Sequence, residues 1–475
     1  MRQWVPMSTV SRVSAEPAAT ARNRTRVVIV GGGPGGYEAA LVAARLGADV
    51  TVVEQAGLGG AAVLTDVVPS KTLIATAEVL TTVSGAHELG IHGLGQARAD
   101  LGVVNQRVKA LASAQSGDIR ARAEGEGARI VEAHGRLDGP GRVIAGDHSF
   151  EADVILICVG ASPRLLPDAL PDGERVLSWT QLYDLTELPQ RLIVVGSGVT
   201  GAEFASAYDA LGSPVVLVSS RDRVLPGEDP DAAQVLEQVF RRRGMEVLPR
   251  SRAQSVKRTG DGVVVTLSDG RTVEGSHALL AVGSVPNTAG LGLAEAGVDV
   301  SAAGHIVVDR VSRTSAPGVY AAGDCTGVLA LASVAAMQGR IAMWHSLGDA
   351  VSPLNLSLVS SNVFTAPEIA TVGTTQAHLE TGETRAAAVK LPLARNPRAK
   401  MQGIRDGFVK LFATPESGRV LGGVVVAPRA CELIHPVALA VAQRLTVDEV
   451  SAAFTVYPSL SGSIAEAARQ LHHAV

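Results

Sequence analysis

The stretch VVIVGGGPGG at residues 27–36 decides the fold of this chain. Its first four residues are apolar without interruption, which is typical of a strand in a parallel sheet that is covered on both faces. Gly31, Gly33 and Gly36 have the spacing G-x-G-x-x-G, and a helical pattern over 37–46 and a strand pattern over 49–54 follow them. In this context the glycines permit a tight turn, close approach of the backbone to a pyrophosphate, and close packing of helix on strand. The stretch therefore predicts a dinucleotide-binding unit.

The same pattern recurs as LIVVGSGVTG at residues 192–201. Gly196, Gly198 and Gly201 repeat the spacing, with a helical pattern over 202–211 and a strand pattern over 215–218 after them. A single glycine fingerprint is a weak signal, because glycines also serve ordinary turns. Two copies, each between a strand and a helix, predict two dinucleotide-binding units in one chain.

The two units differ at the position that contacts the adenosine ribose. Eighteen residues after the third glycine, the first unit has Glu54, a carboxylate suited to a ribose without a 2′-phosphate. The same count in the second unit reaches Ser219, within the sequence SSRDR at 219–223. No carboxylate at that position repels a 2′-phosphate, and Arg221 or Arg223 could pair with one. NADPH is therefore permitted, although solvated loop charges are an alternative interpretation of these arginines and Asp222 weakens their field.

Composition limits the classes of function. The chain has 475 residues, 46% hydrophobic and 19% charged, which predicts about three globular domains. A net charge of -4, with basic and acidic residues mixed, and only 3% aromatic residues make nucleic acid an unexpected partner. No apolar run approaches the ~18 residues needed to cross a bilayer, so no membrane span is expected. The three cysteines form no C-x-x-C pair and indicate neither a disulfide framework nor a metal site.

The two ends of the chain differ from its centre. Residues 1–24 have no apolar signal core, so we interpret them as a flexible extension of a cytoplasmic protein; a transit peptide, or an early start codon before Met7, is the alternative. Residues 353–475 predict a separate α+β domain with strands over 361–372, 408–412 and 420–426, and helices over 431–444 and 447–454.

Over residues 26–475 the chain resembles the FAD-dependent pyridine nucleotide-disulfide oxidoreductases, in particular their lipoamide dehydrogenase branch. Besides the two fingerprints, the resemblance rests on PSK at 69–71, VGASP at 159–163, VGSVP at 282–286, YAAGD at 320–324 and FTAPE at 364–368. It implies an α/β fold with a FAD-binding domain (25–160 and 287–352), a NAD(P)H-binding domain (161–286) and a C-terminal dimerisation domain (353–475). It also implies a homodimer.

The resemblance also assigns residues to the cofactors. Lys71 is implied to lie near the flavin and to pair with Glu203, and Val199 stands where some relatives carry a gating Tyr. Physically, an ammonium near the flavin favours its electron-rich reduced form. The residues predicted to bind FAD or NAD(P)H are Gly31, Gly33, Gly36, Glu54, Lys71, Gly135, Gly160, Gly323, Asp324, Gly196, Gly198, Gly201, Glu203, Ser219, Ser220, Arg221 and Gly283.

The departures from the family pattern are concentrated in its dithiol chemistry. Where the family reads GGTCLNxGCIPSK, residues 59–71 read GGAAVLTDVVPSK, so Ala62 and Val67 replace the two redox cysteines. Where the family reads HPTxSE, residues 457–462 read YPSLSG, so Tyr457 replaces the acid-base His and Gly462 its Glu partner. The residues for holding FAD and receiving a hydride remain.

These departures predict a flavoprotein that passes two electrons directly to an acceptor. The first hypothesis is a FAD-dependent NAD(P)H:quinone oxidoreductase with Lys71, Glu203 and Tyr457 as catalytic residues, protons coming from water or Tyr457. Its candidate acceptor surface is the apolar pocket left by the side chains of Ala62, Val63, Val67 and Val68. The alternatives are a soluble pyridine nucleotide transhydrogenase and a flavin-bound scaffold with vestigial activity.

Overall fold

The computed structural model describes residues 24–93 and 97–472, so the predicted extension over 1–24 lies outside the described residues except for Arg24. In chain order the described strands are β1 (Arg26–Val30), β2 (Asp49–Glu54), β3 (Arg129–Glu132), β4 (Gly135–Leu137), β5 (Arg142–Ala145), β6 (His148–Glu151), β7 (Val154–Ile157), β8 (Ala161–Pro163), β9 (Val176–Ser178), β10 (Leu192–Val195), β11 (Val215–Val218), β12 (Glu246–Leu248), β13 (Ala253–Thr259), β14 (Gly262–Leu267), β15 (Thr272–Gly275), β16 (His277–Leu280), β17 (Ser284–Pro286), β18 (Val319–Ala321), β19 (Ser360–Val363), β20 (Glu368–Gly373), β21 (Ala387–Pro392), β22 (Phe408–Ala413) and β23 (Val420–Ala427).

The described α-helices are α1 (Pro34–Arg45), α2 (Gly60–Leu64), α3 (Val67–Gly85), α4 (Leu101–Gly125), α5 (Val199–Leu211), α6 (Pro230–Arg242), α7 (Ala332–Ser346), α8 (Gln376–Glu380), α9 (Pro397–Met401), α10 (Ala430–Leu433), α11 (His435–Gln443), α12 (Val447–Ala452) and α13 (Gly462–His472). Short 3-10 helices cover Ala86–Leu89, Trp179–Asp184, Asp324–Thr326, Leu356–Leu358 and Leu393–Arg395.

A five-stranded parallel sheet in the order β18-β7-β1-β2-β3 carries the first glycine turn. Strand β1 lies inside this sheet: Val27 and Ile29 enter the core shared with α1 and α7, whereas Val28 and Val30 enter the core on the opposite face. Successive residues of a strand point to opposite faces, so a strand covered on both faces is apolar throughout. Because β18 follows β17 in the chain, the polypeptide returns to this sheet after completing the second one.

The second glycine turn lies in another five-stranded parallel sheet, ordered β12-β11-β10-β16-β9. Strand β10 repeats the alternation of β1, with Leu192 and Val194 in the core that contains α5, and Ile193 and Val195 in the core beneath the antiparallel sheet β13-β14-β15. The two sheets therefore present their glycine turns in equivalent positions, at the carboxyl end of an interior strand.

The C-terminal region is built on an antiparallel sheet in the order β19-β20-β23-β22-β21. One face packs under α11 and α13, and the other contributes Phe412 and Val424 to the core that also holds Phe204 of α5. The predicted fold class is confirmed: an α/β protein with two Rossmann-like units and a C-terminal α+β domain. One predicted element is wrong, because the helix expected over 431–444 is divided at Ile434 into α10 and α11.

A buried ion cluster joins the second unit to the C-terminal sheet. Lys410 Nζ lies 2.8 Å from Asp229 Oδ2 and 2.6 Å from Asp231 Oδ2. The side chains of Lys410 and Asp229 are only 4% and 0% exposed. Asp229 also caps α6 by accepting hydrogen bonds from the backbone N–H groups of Asp231 and Ala232. Such a cluster fixes the contact between the two parts, because removing one partner leaves an uncompensated buried charge.

Within residues 24–93 and 97–472, no helix combines the length and apolar character needed to cross a bilayer. The longest, α4, has 25 residues but carries charges such as Arg107 and Lys109. Its N-cap is an ordinary one: Asp100 accepts a hydrogen bond from the N–H of Val103 at 3.1 Å.

Candidate functional site

The first glycine turn, between β1 and α1, has no room for a side chain at two of its three glycines. Gly31 has φ +100°, and a Cβ there would lie 2.3 Å from the carbonyl oxygen of Cys158. A Cβ on Gly36 would lie 2.0 Å from the oxygen of Gly31, so only a glycine lets α1 approach the strand. At Gly33, by contrast, the nearest atom to an added Cβ is 4.0 Å away. The middle glycine therefore faces open space at the N-terminus of α1.

The second turn repeats this geometry between β10 and α5. A Cβ on Gly196, whose φ is +112°, would lie 2.1 Å from the oxygen of Ala281, and one on Gly201 would lie 1.9 Å from the oxygen of Gly196. Around Gly198 nothing lies within 4 Å of an added Cβ. Neither α1 nor α5 has a side-chain cap on its N-terminal N–H groups. Each glycine turn and the helix N-terminus after it thus form an open site, here called a cradle. The uncapped N–H groups and the positive end of the helix dipole suit each cradle to a pyrophosphate.

Glu54 ends β2 beside the first cradle. Its carboxylate accepts hydrogen bonds from the N–H of Gly32 at 2.6 Å and of Ala56 at 2.7 Å. Each oxygen keeps a further lone pair, so the group can still accept from the hydroxyls of a ribose.

Ser219, predicted at the ribose position of the second unit, directly follows β11. The residue is 0% exposed, and its hydroxyl bonds to the Ser197 hydroxyl at 2.7 Å and to the Arg221 carbonyl at 3.1 Å. Its side chain therefore ties the loop after β11 to the glycine turn. The neighbouring Ser220 and Arg221 are exposed.

The other predicted cofactor positions lie around the two turns. Gly135 begins β4 and packs on β1 and β2, where an added Cβ would lie 2.9 Å from Val30. Gly160 and Gly283 follow β7 and β16 with φ of +65° and +92°, and nothing lies within 4 Å of an added Cβ at either position. Because their φ is positive and the space beside them is open, both favour glycine and leave the backbone accessible.

Gly323 and Asp324 follow β18 at the edge of the first unit. The N–H of Gly323 donates to Gln338 Oε1 at 2.9 Å, which fixes the turn into the 3-10 helix. Burial raises the pKa of the Asp324 carboxyl, and His305 opposes that effect. A partly buried carboxylate without a hydrogen-bonding partner in the described residues fits a polyol such as the ribityl chain of FAD.

Lys71 and Glu203 form the ion pair that the resemblance implied. Lys71 Nζ of α3 lies 2.7 Å from Glu203 Oε2 of α5, with side chains 26% and 4% exposed. The second carboxylate oxygen, Oε1, accepts from the N–H of Phe364 at 2.9 Å, and the ammonium lies 4.9 Å from the centre of the Phe364 ring. Three separate parts of the chain thus meet at one charged pair, which lies at the N-terminal half of α3.

The positions of the replaced cysteines flank the start of α3. Ala62 in α2 and Val68 are half-buried, and Val67 is 36% exposed. Val63, a member of the predicted apolar pocket, is only 6% exposed, and an added Cβ on Gly59 would lie 2.5 Å from its side chain. Ala62, Val67 and Val68 are the more accessible members of that predicted surface.

No cysteine of the described residues offers a ready thiolate. Burial raises the pKa of the Cys158 thiol well above its usual value and that of Cys325 to about 12. Burial and the Glu368 carboxylate raise the pKa of Cys431 to about 12. Thiolates carry out disulfide exchange, so these residues stay unreactive at neutral pH.

Tyr457 is not brought to this pair within one chain. Its side chain is 82% exposed in the segment before α13, next to Phe454 and Val456, which are also exposed. Val199, at the first position of α5, is 43% exposed at the mouth of the second cradle. A small aliphatic side chain there leaves the approach to the cradle open.

Asp66 is the residue that the sequence reasoning missed. It is the N-cap of α3, yet its side chain makes no capping hydrogen bond. Burial raises the pKa of its carboxyl to about 6, helped by Glu203 and Asp324 and opposed by Lys71. The available signal was the motif itself, because Asp66 stands where the family pattern has a glycine before its second cysteine.

Comparisons with known proteins agree with this geometry. The sequence model of the family described as pyridine nucleotide-disulphide oxidoreductase matches residues 25–339, and that of its dimerisation domain matches 359–468. A Mycobacterium tuberculosis protein named NAD(P)H dehydrogenase (quinone) is 56% identical over 462 residues, 94% of each chain. A dihydrolipoyl dehydrogenase of Chlamydia trachomatis is 31% identical over 451 residues, 93% of this chain and 95% of the relative. The crystal structure of LpdA from Mycobacterium tuberculosis has a TM-score of 0.90 at 55% identity, covering 94% of this chain and 99% of that chain.

Proposed function

The chain belongs to the pyridine nucleotide-disulphide oxidoreductase family, and from that premise we propose that it is a FAD-dependent NAD(P)H:quinone oxidoreductase without a redox disulfide. The family binds FAD and uses NAD(P)H. When bound, FAD supplies a store for two electrons taken as hydride from NAD(P)H. We propose that the first cradle with Glu54, Gly323 and Asp324 holds FAD, and that the second, with Gly198 and Arg221, holds NAD(P)H.

One observation carries the proposal: the Lys71–Glu203 pair is intact at 2.7 Å, while Ala62 and Val67 occupy the cysteine positions. The ammonium favours the electron-rich form of the flavin, and Glu203 holds the ammonium in place. Cys158, Cys325 and Cys431 are all free cysteines, and none of them stands at a position of the family's redox disulfide, so we propose that the described chain has no second electron store. Electrons must leave directly for an external acceptor. The exposed Val67, with Ala62 and Val68, offers that acceptor an apolar surface.

Anaerobic titration of the holoenzyme tests this proposal. We expect one two-electron equivalent of NADH or NADPH to reduce the flavin fully, without a long-wavelength thiolate-to-flavin band, and a quinone to reoxidise it. Uptake of a second equivalent would contradict the proposal. Rapid reduction of NADP⁺ by NADH without a quinone would favour a transhydrogenase. Failure of both nicotinamides to reduce the flavin at catalytic speed would favour a scaffold.

Replacement of Arg221 by Ala tests the coenzyme preference. Because the exposed Arg221 could pair with a 2′-phosphate, we expect the KM for NADPH to rise about tenfold and that for NADH to stay unchanged. Arg258→Ala is the control, since that guanidinium of the same unit is engaged by Glu174. If Arg221→Ala changes the KM for NADPH and for NADH equally, Arg221 does not recognise the 2′-phosphate.

We further propose a homodimer formed through the C-terminal domain. The match to the dimerisation domain over 359–468 supports it. Phe454, Val456 and Tyr457 are 107%, 78% and 82% exposed, and a second copy would cover this apolar run. In such a dimer we propose that Tyr457 serves the site of the other copy. Sedimentation at assay concentration checks the assembly, and a purely monomeric active enzyme would exclude it.

The domain limits and the location also remain proposals. We propose 25–160 with 287–352 for FAD, 161–286 for NAD(P)H and 353–475 for dimerisation, and limited proteolysis tests these limits. A cytoplasmic location stays a prediction from the sequence, for cell fractionation to test.

A further inference from the structure

Asp66 lies between the two positions where the family pattern has its cysteines and five residues before Lys71. Its backbone N–H bonds to the Ala61 carbonyl at 2.8 Å and its own carbonyl accepts from the N–H of Ser70 at 2.8 Å, so the main chain is fixed on both sides. The residue thus links α2 to the first turn of α3. Asp66 is half-buried, and it directly precedes Val67 and Val68 of the proposed acceptor surface.

The carboxyl of Asp66 is not used structurally. An aspartate at a helix N-cap normally accepts a hydrogen bond from the N2 or N3 N–H group. Asp100 and Asp229 do so at the starts of α4 and α6. Asp66, with φ −131° and ψ −87°, does not, and in the described part of the chain its carboxyl has neither a hydrogen bond nor a salt bridge. The Asp66 carboxyl is therefore available for proton transfer.

The charges around Asp66 come from α5 and from the turn after β18 as well as from α3. Glu203 of α5 and Asp324 after β18 favour its neutral form, and Lys71 favours the ionised form. The Asp66 charge in turn acts on the buried Tyr183 hydroxyl, whose own pKa burial raises well above its usual value. Burial is the largest influence on Asp66 and sets its pKa at about 6, although a helix N-terminus alone would lower it. Burial therefore makes the Asp66 carboxyl a weaker acid than an ordinary aspartate.

We propose that Asp66 is the general acid that protonates the quinone during its reduction; this inference rests on the function proposed above. A quinone becomes a hydroquinone by taking up two electrons and two protons. A hydride equivalent brings both electrons and one proton to the quinone. The O–H bond of the Asp66 carboxyl breaks, its proton forms an O–H bond on a quinone oxygen, and the resulting carboxylate regains a proton from solvent. Electrons and protons then balance with no thiol.

The rate at which 1,4-benzoquinone reoxidises the prereduced holoenzyme, measured after rapid mixing at a series of pH values, tests the proposal. In the wild type we expect the rate to fall about tenfold per pH unit as the pH rises through about 6, until water takes over as proton donor. In Asp66→Asn we expect a rate without this dependence, at least about tenfold slower at pH 5. Two equivalents of ferricyanide, which take electrons and no proton, should reoxidise both proteins equally fast.

The matched control is Asp100→Asn, the same change at an ordinary N-cap, which should keep the wild-type pH profile. Should Asp66→Asn fail to fold, Asp66→Ser is the substitute. Serine is common at helix N-caps and carries no acid, so we expect the same pH profile as for Asp66→Asn. An unchanged pH profile in the Asp66 variant would overturn the proposal. If the wild type itself does not reduce benzoquinone, the proposed function fails instead, so the two failures are distinguishable.

Thermal unfolding gives a readout that does not depend on turnover. The folded pKa of Asp66 lies above its ordinary value of 3.8, so the folded state binds this proton more tightly than the unfolded state. Stability contributed by that proton is present below about pH 3.8 and is lost as the pH rises through about 6. We therefore expect Asp66→Asn to gain Tm relative to the wild type between pH 4 and pH 7. A difference in Tm that is constant over this range would contradict the free, protonated carboxyl on which the proposal depends.

Discussion

Replacement of Lys71 by Met is expected to slow reduction of the bound flavin by NAD(P)H on the order of 100-fold, because it removes the cation that stabilises the reduced form. Among the described residues, the same change leaves the 4%-exposed Glu203 with the Phe364 N–H as its one hydrogen-bond partner. Breaking a buried pair in this way costs about 3 kcal/mol of unfolding free energy, so Tm should also fall. Stopped-flow absorbance of the flavin and thermal unfolding measure the two effects.

Lys410→Met separates these two effects. Lys410 is likewise a buried lysine, 4% exposed and paired with the fully buried Asp229, but it lies at the contact between α6 and the C-terminal sheet. We expect a similar loss of stability with flavin reduction close to that of the wild type. The double variant Lys71→Met/Glu203→Met removes both charges and should recover stability without recovering the rate. Normal flavin reduction in Lys71→Met would exclude an electrostatic role for this pair.

The second large effect is expected at the second glycine turn. In Gly201→Ala the new Cβ would lie 1.9 Å from the Gly196 carbonyl oxygen, so α5 must move away from β10. A displacement of about 1 Å at a site that positions a substrate reduces the rate on the order of 100-fold. We expect the variant to retain FAD, which the first turn is proposed to hold, but to lose reduction by NAD(P)H and to unfold at a lower temperature.

Gly198→Ala is the matched change within the same turn. Nothing lies within 4 Å of its added Cβ, and φ −71° with ψ −173° suits an alanine, so Tm should stay at the wild-type value. The methyl group would instead occupy the open face of the cradle, and we expect the KM for NAD(P)H to rise about tenfold. A fall in Tm with an unchanged KM would mean that the open face of the turn does not receive the nucleotide.

Sequence periodicity predicted the parts of the fold in which neighbours along the chain decide the structure. The uninterrupted apolar runs over 27–30 and 192–195 predicted interior strands, and each run divides its residues between cores on opposite faces. The predicted helix over 431–444 failed locally, because Pro436 has no backbone N–H to continue α10. The helix predicted over 447–454 ends at Ala452, which leaves Phe454 exposed.

At the site, side-chain direction depends on contacts that a count along the sequence does not contain. The count from the third glycine reaches Ser219, which follows β11, and the Ser219 hydroxyl bonds to the Ser197 hydroxyl. Val63 belongs to the predicted acceptor pocket, and it is only 6% exposed. The sequence alone does not single out Asp66, because the charges of Glu203 and Asp324 that act on it are far away in sequence.

The sequence by itself determined the two nucleotide cradles and the loss of the dithiol, since both depend on residue types at short, fixed spacings. The resemblance also implied the Lys71–Glu203 pair, and only the tertiary structure decided that the Phe364 N–H joins it and that burial raises the pKa of the Asp66 carboxyl. The physical reason is that burial and the fields of distant charges are properties of folded space. They depend on which segments of the chain pack together, and no local pattern of residues encodes that.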